Sequence, residues 1–267
     1  MALAALENND YREDLAHIHD VGFGGFPRSS APALLEMLKS HGIAGGLVVD
    51  LGCGSGIWAR ALCEAGYDVL GVDQSRAMVN LARTHAPRAR FVAGSFLDAK
   101  IPVCEAVTSL GECFNYLSDR TNGIARLRGL FRRIYRALRP GGLLIFDIAE
   151  PGRGKGPRLK HLEGTGWAIL LEVDEDERSR RLTRRITTFR RIGKLYRRDE
   201  EMHRLQLYRR SQIAGELRRV GFRVRIVTGY GQQRFPKAYA GFLARKPGLA
   251  PGRSSTKSHA VSSPRTA

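Results

Sequence analysis

The nine residues Val48 to Gly56, V-V-D-L-G-C-G-S-G, constrain the fold of this chain more than any other stretch. Leu47, Val48 and Val49 suit a buried strand. Glycines follow at 52, 54 and 56, and then Ile57, Trp58, Ala61, Leu62 and Ala65 recur at helical spacing. Strand, glycine turn and helix in that order open a doubly wound α/β unit. Its glycine turn lets the chain reverse sharply and lets a nucleotide-like ligand lie against bare backbone. The spacing here is G-x-G-x-G, and Ile57 stands where the dinucleotide fingerprint G-x-G-x-x-G has its third glycine. A glycine-rich turn with no ligand is the plain alternative, which the rest of the chain has to decide.

The alternation continues. Asp68 to Asp73, D-V-L-G-V-D, reads as a second buried strand that ends in an acid one crossover helix after Gly56. In a doubly wound sheet this sets Asp73 beside the glycine turn, where a carboxylate can accept both hydroxyls of a ribose. Ser75 is then available to cap the following helix. Phe91 and Val92 begin a third strand, followed by Gly94 to Asp98, G-S-F-L-D. Ala106 to Leu110 is the fourth, running into G-E-C-F-N-Y-L, Gly111 to Leu117. Asp119 is placed to cap a helix carrying Ile124, Leu127, Phe131, Ile134 and Leu138 on one stripe. R-P-G-G, Arg139 to Gly142, ends it before a fifth strand, Leu143 to Ile148.

Four features thus fall in order over residues 45–150: the glycine turn preceded by Asp50, the acid after the second strand, the loop after the fourth, and L-R-P-G-G before the fifth. Together they resemble the class I S-adenosylmethionine (SAM)-dependent methyltransferases of small-molecule type. The resemblance implies a doubly wound, mostly parallel seven-stranded α/β sheet with an antiparallel last strand. It implies SAM as methyl donor, lying over Gly52, Cys53, Gly54 and Gly56. Asp50, Asp73, Gln74, Leu110 and Gly111 complete the expected cofactor set, with Asp73 on the ribose. Where the family usually has Gly-Asp beside the adenine, this chain has Gly94-Ser95, so Ser95 and Phe96 are the expected adenine neighbours. Tyr11, with His17 and His19, is expected on a leading helix that closes over the methionine moiety.

The organisation then reads as follows. Residues 1–44 form a helical cap: a helix over 1–20, a glycine-aromatic loop V-G-F-G-G-F-P from Val21 to Pro27, and a short helix around Ala33, Leu34, Met37 and Leu38. Residues 45–150 are the cofactor-binding core. Within 151–209, Pro151 to Pro157 is a linker. Trp167 to Val173, Leu182 to Ile192 and Leu195 to Tyr208 follow as a three-stranded antiparallel insertion that covers the acceptor site. Residues 210–247 return to the core with a helix from Ser211 to Gly221 and strands over Phe222 to Ile226 and Tyr239 to Arg245. Residues 248–267 have almost nothing to bury and read as a disordered tail.

No stretch approaches ~20 apolar residues, so no membrane span is expected, and the acidic start does not read as a secretory signal. Cys53, Cys63, Cys104 and Cys113 form no C-x-x-C pair, which suits free thiols in a reducing cytoplasm rather than a disulfide frame or a metal site. The net charge of +18 is lopsided. Residues 1–150 carry 16 basic and 16 acidic side chains, whereas 151–246 carry 25 against 10. That excess raises RNA as an alternative acceptor. Against it, the place after the fourth strand reads S-L-G-E, without the proline-containing motif of enzymes that methylate exocyclic base amines. Residues 180–210 also hold only Phe189, Tyr196 and Tyr208 for base stacking.

The sequence therefore points to a small-molecule acceptor methylated on N, O or C. His203, in E-M-H-R-L-Q-L-Y, is the expected base, and Tyr116 the expected ring facing the sulfonium. A solvent-facing strand histidine and a core tyrosine are the plain alternatives. A SAM-binding module without catalysis carries every cofactor motif too. The oligomeric state is left open.

Overall fold

The computed structural model describes residues 10–118, 122–153 and 158–248. The expected cap Asp119, the start of the leading helix, part of the linker and nearly all of the tail lie outside these described residues.

The chain opens with α1 (Glu13–Phe23) and α2 (Gly25–Ser40). The core then alternates: β1 (Leu47–Leu51), α3 (Ile57–Glu64), β2 (Asp68–Asp73), α4 (Arg76–His85), β3 (Arg90–Ala93), β4 (Cys104–Ser109), α5 (Ile124–Ala137) and β5 (Leu138–Ala149). Four strands follow, β6 (Arg158–Gly164), β7 (Trp167–Asp176), β8 (Arg181–Ile192) and β9 (Leu195–Gln206). The core closes with α6 (Arg210–Val220), β10 (Arg223–Val227), a small hairpin of β11 (Gly229–Tyr230) and β12 (Gln233–Arg234), and β13 (Tyr239–Arg245).

The main sheet has seven strands in the order β10-β13-β5-β4-β1-β2-β3. Only β13 runs antiparallel to its neighbours. This is the expected doubly wound sheet with its antiparallel last strand. The strand order reverses between β1 and β4, so their carboxyl ends frame the crevice where ligands of such sheets bind. One face packs α5 and α6 through Leu127, Phe131, Ile134 and Leu217 onto Phe146 and Phe242, whose rings stack at 4.8 Å. The other packs α2, α3 and α4 through Leu34, Leu38, Trp58, Leu62 and Val79. Ser75 caps α4 as expected, accepting from the Met78 N–H at 3.1 Å.

Two elements differ from the sequence reading. The stretch Val21 to Pro27 is helical rather than a loop, broken only at Gly24. Its glycines serve packing: a Cβ on Gly22 would lie 2.6 Å from the Trp167 ring, and one on Gly24 2.7 Å from Ile57. The insertion has four strands, not three. The missed strand, β6, pairs antiparallel with β7 along its whole length. Its sequence, R-L-K-H-L-E-G, turns two cations inward and leaves Leu159 outside, so its period-two pattern runs against the usual polarity.

The cap and the insertion fold onto each other. Leu15 and Ile18 of α1 are buried against Ile169 and Ile186, at about 1.5–3 kcal/mol per side chain. The Arg12–Asp199 ion pair beside them is a third exposed and adds about 0–1 kcal/mol, so the apolar seam decides the docking. Asn115, in a single 3₁₀ turn after β4, ties the insertion to the core. Its Nδ2 donates to the carbonyls of Ala149 (2.9 Å) and Gln206 (2.7 Å), and its Oδ1 accepts from the Ala149 N–H at 2.9 Å. Asn115→Ala removes one partner from each of three backbone groups, the buried N–H and carbonyl of Ala149 and the half-buried Gln206 carbonyl, at about 0.5–1.5 kcal/mol each. The variant is expected to lose about 2–4 kcal/mol in denaturant unfolding; a loss under about 1 kcal/mol would remove Asn115 as a clamp.

Candidate active site

A cavity of about 780 Å³ opens at the carboxyl ends of β1 and β4, roofed by α1 and the insertion. Of the residues expected to hold the cofactor, Tyr11, Asp50, Gly52, Cys53, Gly54, Asp73, Gln74, Ser95, Phe96, Leu110 and Gly111 line it. His203 and Tyr116 line it too. Gly56 and His17 are not among the lining residues. A Cβ on Gly56 would meet the Ala82 Cα at 2.8 Å, so this glycine lets α3 start against α4.

The turn is shaped by backbone bonds to the neighbouring strand. The N–H groups of Gly52 and Cys53 donate to the Val72 carbonyl at 2.7 and 3.1 Å. Gly54 N–H donates to Asp73 Oδ2 at 2.9 Å, and Ser75 N–H to Asp73 Oδ1 at 2.9 Å. Gly54 has φ +52°, and a Cβ there would project into open cavity space. Burial pushes the Asp73 carboxyl above its usual range even though these two bonds oppose the rise. Deeper down, Asp50 accepts from Thr108 Oγ1 at 2.7 Å, and Thr108 accepts from Trp58 Nε1 at 3.1 Å. Burial raises Asp50 to about 7. Ser95 Oγ accepts from the Leu97 N–H at 3.2 Å.

The opposite wall comes from the insertion and the N-terminal strap. His203 of β9 is fully buried, not solvent-facing. Its Nε2 lies 2.8 Å from Glu201 Oε2. A carboxylate only accepts, so this bond places a proton on Nε2; in the neutral tautomer that leaves Nδ1 as an acceptor. Nδ1 is buried and has no protein partner. Glu201 in turn accepts from the backbone N–H of Tyr11 (2.7 Å) and of Arg12 (2.8 Å). Tyr11 precedes α1 rather than lying on it, with φ +61°. That costly conformation is fixed from both sides, because the Tyr11 carbonyl accepts from Ser75 Oγ at 2.6 Å. The Tyr11 ring packs 4.9 Å from the His203 ring and its hydroxyl bonds Tyr116 at 2.9 Å. Burial pushes Tyr116 up to about 12 and His19 down to about 4, so at neutral pH both are uncharged.

Several site residues escaped the sequence reading. Glu112, with φ +57°, bonds Arg153 at 2.6 Å and Arg184. Burial alone would raise its carboxyl, but the two guanidiniums overcome that and hold it below the usual range. Asp147 accepts from the N–H of Gly111 (3.0 Å) and Glu112 (2.6 Å) and from Tyr230 (3.2 Å), and burial lifts it to about 6. An acid inside the apolar run L-L-I-F-D-I was the available signal for Asp147. A cation in the inward phase of β8 was the signal for Arg184. Among the described residues no group of three or more metal-ligating side chains occurs, and no helix is long and apolar enough to cross a membrane.

With this geometry in hand, known proteins are informative. The model of the methyltransferase domain family matches residues 48–142. The cypemycin N-terminal methyltransferase of a Streptomyces species is 34% identical over 127 residues, which is 46% of this chain and 50% of that protein. The chain spans about half the length of the curated relatives it matches. A SAM-dependent methyltransferase structure from Clostridium acetobutylicum superposes with TM-score 0.75 at 20% identity, covering 87% of this chain and 98% of that one. A sugar N-methyltransferase from a Streptoalloteichus species gives TM-score 0.73 at 19% identity, covering 92% and 99%. Residues 48–142 thus match the methyltransferase domain family, and the chain has the fold of the SAM-dependent methyltransferase structures on which it superposes.

Proposed function

We propose that this protein transfers a methyl group from SAM to a nitrogen or oxygen of a small molecule. One observation carries the reading. A single cavity is lined both by a glycine turn with a ribose-ready carboxylate and by a buried histidine whose Nδ1 has no partner in the protein.

The residues present fit SAM. Gly54 leaves room where any side chain would project. Asp73 already holds the turn and, with Gln74, is assigned the ribose. Ser95 and Phe96 are assigned the adenine, while Asp50 and the carbonyls of the turn are assigned the ammonium. When bound, SAM supplies an electrophilic methyl group that leaves by in-line displacement. The chain's part is alignment, which can lower a barrier by about 7–11 kcal/mol, and exclusion of water, for which the docked cap and insertion are suited. A protonated acceptor must also lose a proton. His203 Nδ1 is the acceptor for it, and Glu201 stabilises the imidazolium that forms. The Tyr116 ring faces the same space and favours a nearby cation. A carbon acceptor also loses a proton, but an N–H or O–H can hydrogen-bond to an imidazole before transfer and a C–H cannot, so the buried histidine favours N or O. Relatives described as a sugar N-methyltransferase and an amino pentose methyltransferase make amino sugars a sensible first panel.

Three outcomes test this. In calorimetry, SAM and S-adenosylhomocysteine are expected to bind and NAD not to; Asp73→Ala is expected to weaken both by tenfold or more, and NAD binding alone would refute the assignment. With an acceptor found by S-adenosylhomocysteine release, His203→Ala is expected to lower kcat by about 10²–10⁴-fold while the cofactor affinity changes less than twofold. Unchanged kcat would remove the base, and no acceptor-dependent release across a broad metabolite panel would favour a non-catalytic SAM-binding module. The third concerns pH. Asp50 near 7 is half protonated at neutrality in the free protein, whereas a bound ammonium favours its carboxylate. Binding therefore releases a proton, and cofactor affinity is expected to rise about tenfold from pH 6 to 8. Asp50→Asn should flatten that rise; a wild-type affinity independent of pH would separate Asp50 from the ammonium.

A further inference from the structure

Charge is unevenly distributed inside the cavity. The carboxylates Asp50 and Asp73 lie at the glycine-turn end, Asp10 lies 3.9 Å from His203, and Glu112 is paired with Arg153 and Arg184. Elsewhere its wall holds Arg158 and Lys160 of β6, Lys237 before β13, and Arg153. Arg158 and Lys160 are two residues apart, so they share the inner face of β6 with Leu162.

These cations are short of partners. Among the described residues, no ion pair or hydrogen bond from the side chain of Arg158, Lys160 or Lys237 is present. Arg153 shares the single carboxylate of Glu112 with Arg184, and its Nε is buried without an acceptor. Glu175, which could have answered Arg153, is occupied by the backbone N–H groups of Gly152 and Arg153 at 2.8 Å each. A positive surplus and an unfilled donor therefore face a space that the cofactor turn does not claim. Arg158, Lys160 and Lys237 are exposed to solvent at the cavity wall, so only the buried Arg153 Nε lacks an acceptor at a cost; guanidiniums fit carboxylate and phosphate oxygens.

The strand register sets the scale. Arg158, Val173, Arg184 and His203 form one row across the four strands. Adjacent strands lie roughly 4.8 Å apart, so the backbones of His203 and Arg158 are roughly 14 Å apart. One metabolite can bridge that interval, with the arginine side chain reaching back toward it.

We propose that the acceptor is an anion: its N–H or O–H faces His203, and a carboxylate or phosphate at its far end is received by Arg158, Lys160, Lys237 and the Nε of Arg153. The proposal rests on the methyl-transfer reading for the identity of the His203 end, but its anion site can be tested separately. The full-length protein is titrated calorimetrically with inorganic pyrophosphate and with citrate, each with and without S-adenosylhomocysteine. The comparison is the double variant Arg158→Glu/Lys160→Glu, whose two positions are exposed on an edge strand. Saturable binding of at least one anion to the wild type is expected, weakened tenfold or more in the variant. Pyrophosphate alone would indicate a phosphate, citrate alone a carboxylate. No binding of either to the wild type, or equal binding by the variant, would overturn the proposal. Tighter binding of a short single-stranded RNA than of either small ion, lost equally in the variant, would overturn it in favour of nucleic acid. Cofactor affinity is expected to be the same in both proteins within twofold. Failure of S-adenosylhomocysteine to bind the wild type would count against the methyl-transfer reading, while the anion titrations without it still decide this proposal.

Discussion

The buried carboxylate of Glu201 is the interaction on which the site depends. It meets the backbone of Tyr11 and Arg12 and the ring of His203, so one side chain joins the N-terminal strap to the insertion. A buried carboxylate is tolerable only when its oxygens are answered, and here two backbone N–H groups and an imidazole answer them. The arrangement reaches the cofactor side as well. Asp73 accepts from Ser75, Ser75 donates to the Tyr11 carbonyl, and Tyr11 donates to Glu201. The expected ribose ligand and the expected base are thus four hydrogen bonds apart through ordered groups. Shape and chemistry on the two sides of the cavity are set by one chain of contacts rather than by two independent ones.

The basic half of the molecule looks different once folded. Much of its charge is paired locally: Arg190 and Arg197 on Asp14, Arg185 on Glu172, Arg210 on Glu150. Arg153 and Arg184 are drawn into the cavity around Glu112. The excess that raised RNA as an alternative acceptor is therefore partly neutralised in ion pairs and partly drawn to the cavity wall.

How much of this could be read from residues alone follows from the range of the forces involved. The glycine turn, the strand-terminal Asp73 and the R-P-G-G end of α5 are local patterns, and the main sheet came out as they imply. Strand β6 was invisible because its inward phase carries Arg158 and Lys160, which imitate a linker. The loop reading of Val21 to Pro27 failed because the small size of Gly22 answers to Trp167, far away in sequence. Glu112 and Glu201 were missed as site residues for the same reason. Glu112 meets Arg184 72 positions along, and Glu201, although it opens the E-M-H-R-L-Q-L-Y stretch, meets Tyr11 190 positions back, a partnership that no local pattern reveals.

The two ends of the insertion meet at the sheet. Tyr208 N–H reaches the Ala149 carbonyl at 3.4 Å, and Glu150 accepts from the Arg210 N–H at 2.8 Å. The chain therefore leaves and re-enters the core through what is in effect a single doorway. A segment anchored in this way leaves the main sheet uninterrupted: residues 158–206 form a separate four-stranded sheet, and the seven core strands keep their order around the point of departure. The family model matches residues 48–142 and ends just before that doorway, whereas the likeness of fold to solved structures runs on through most of the chain.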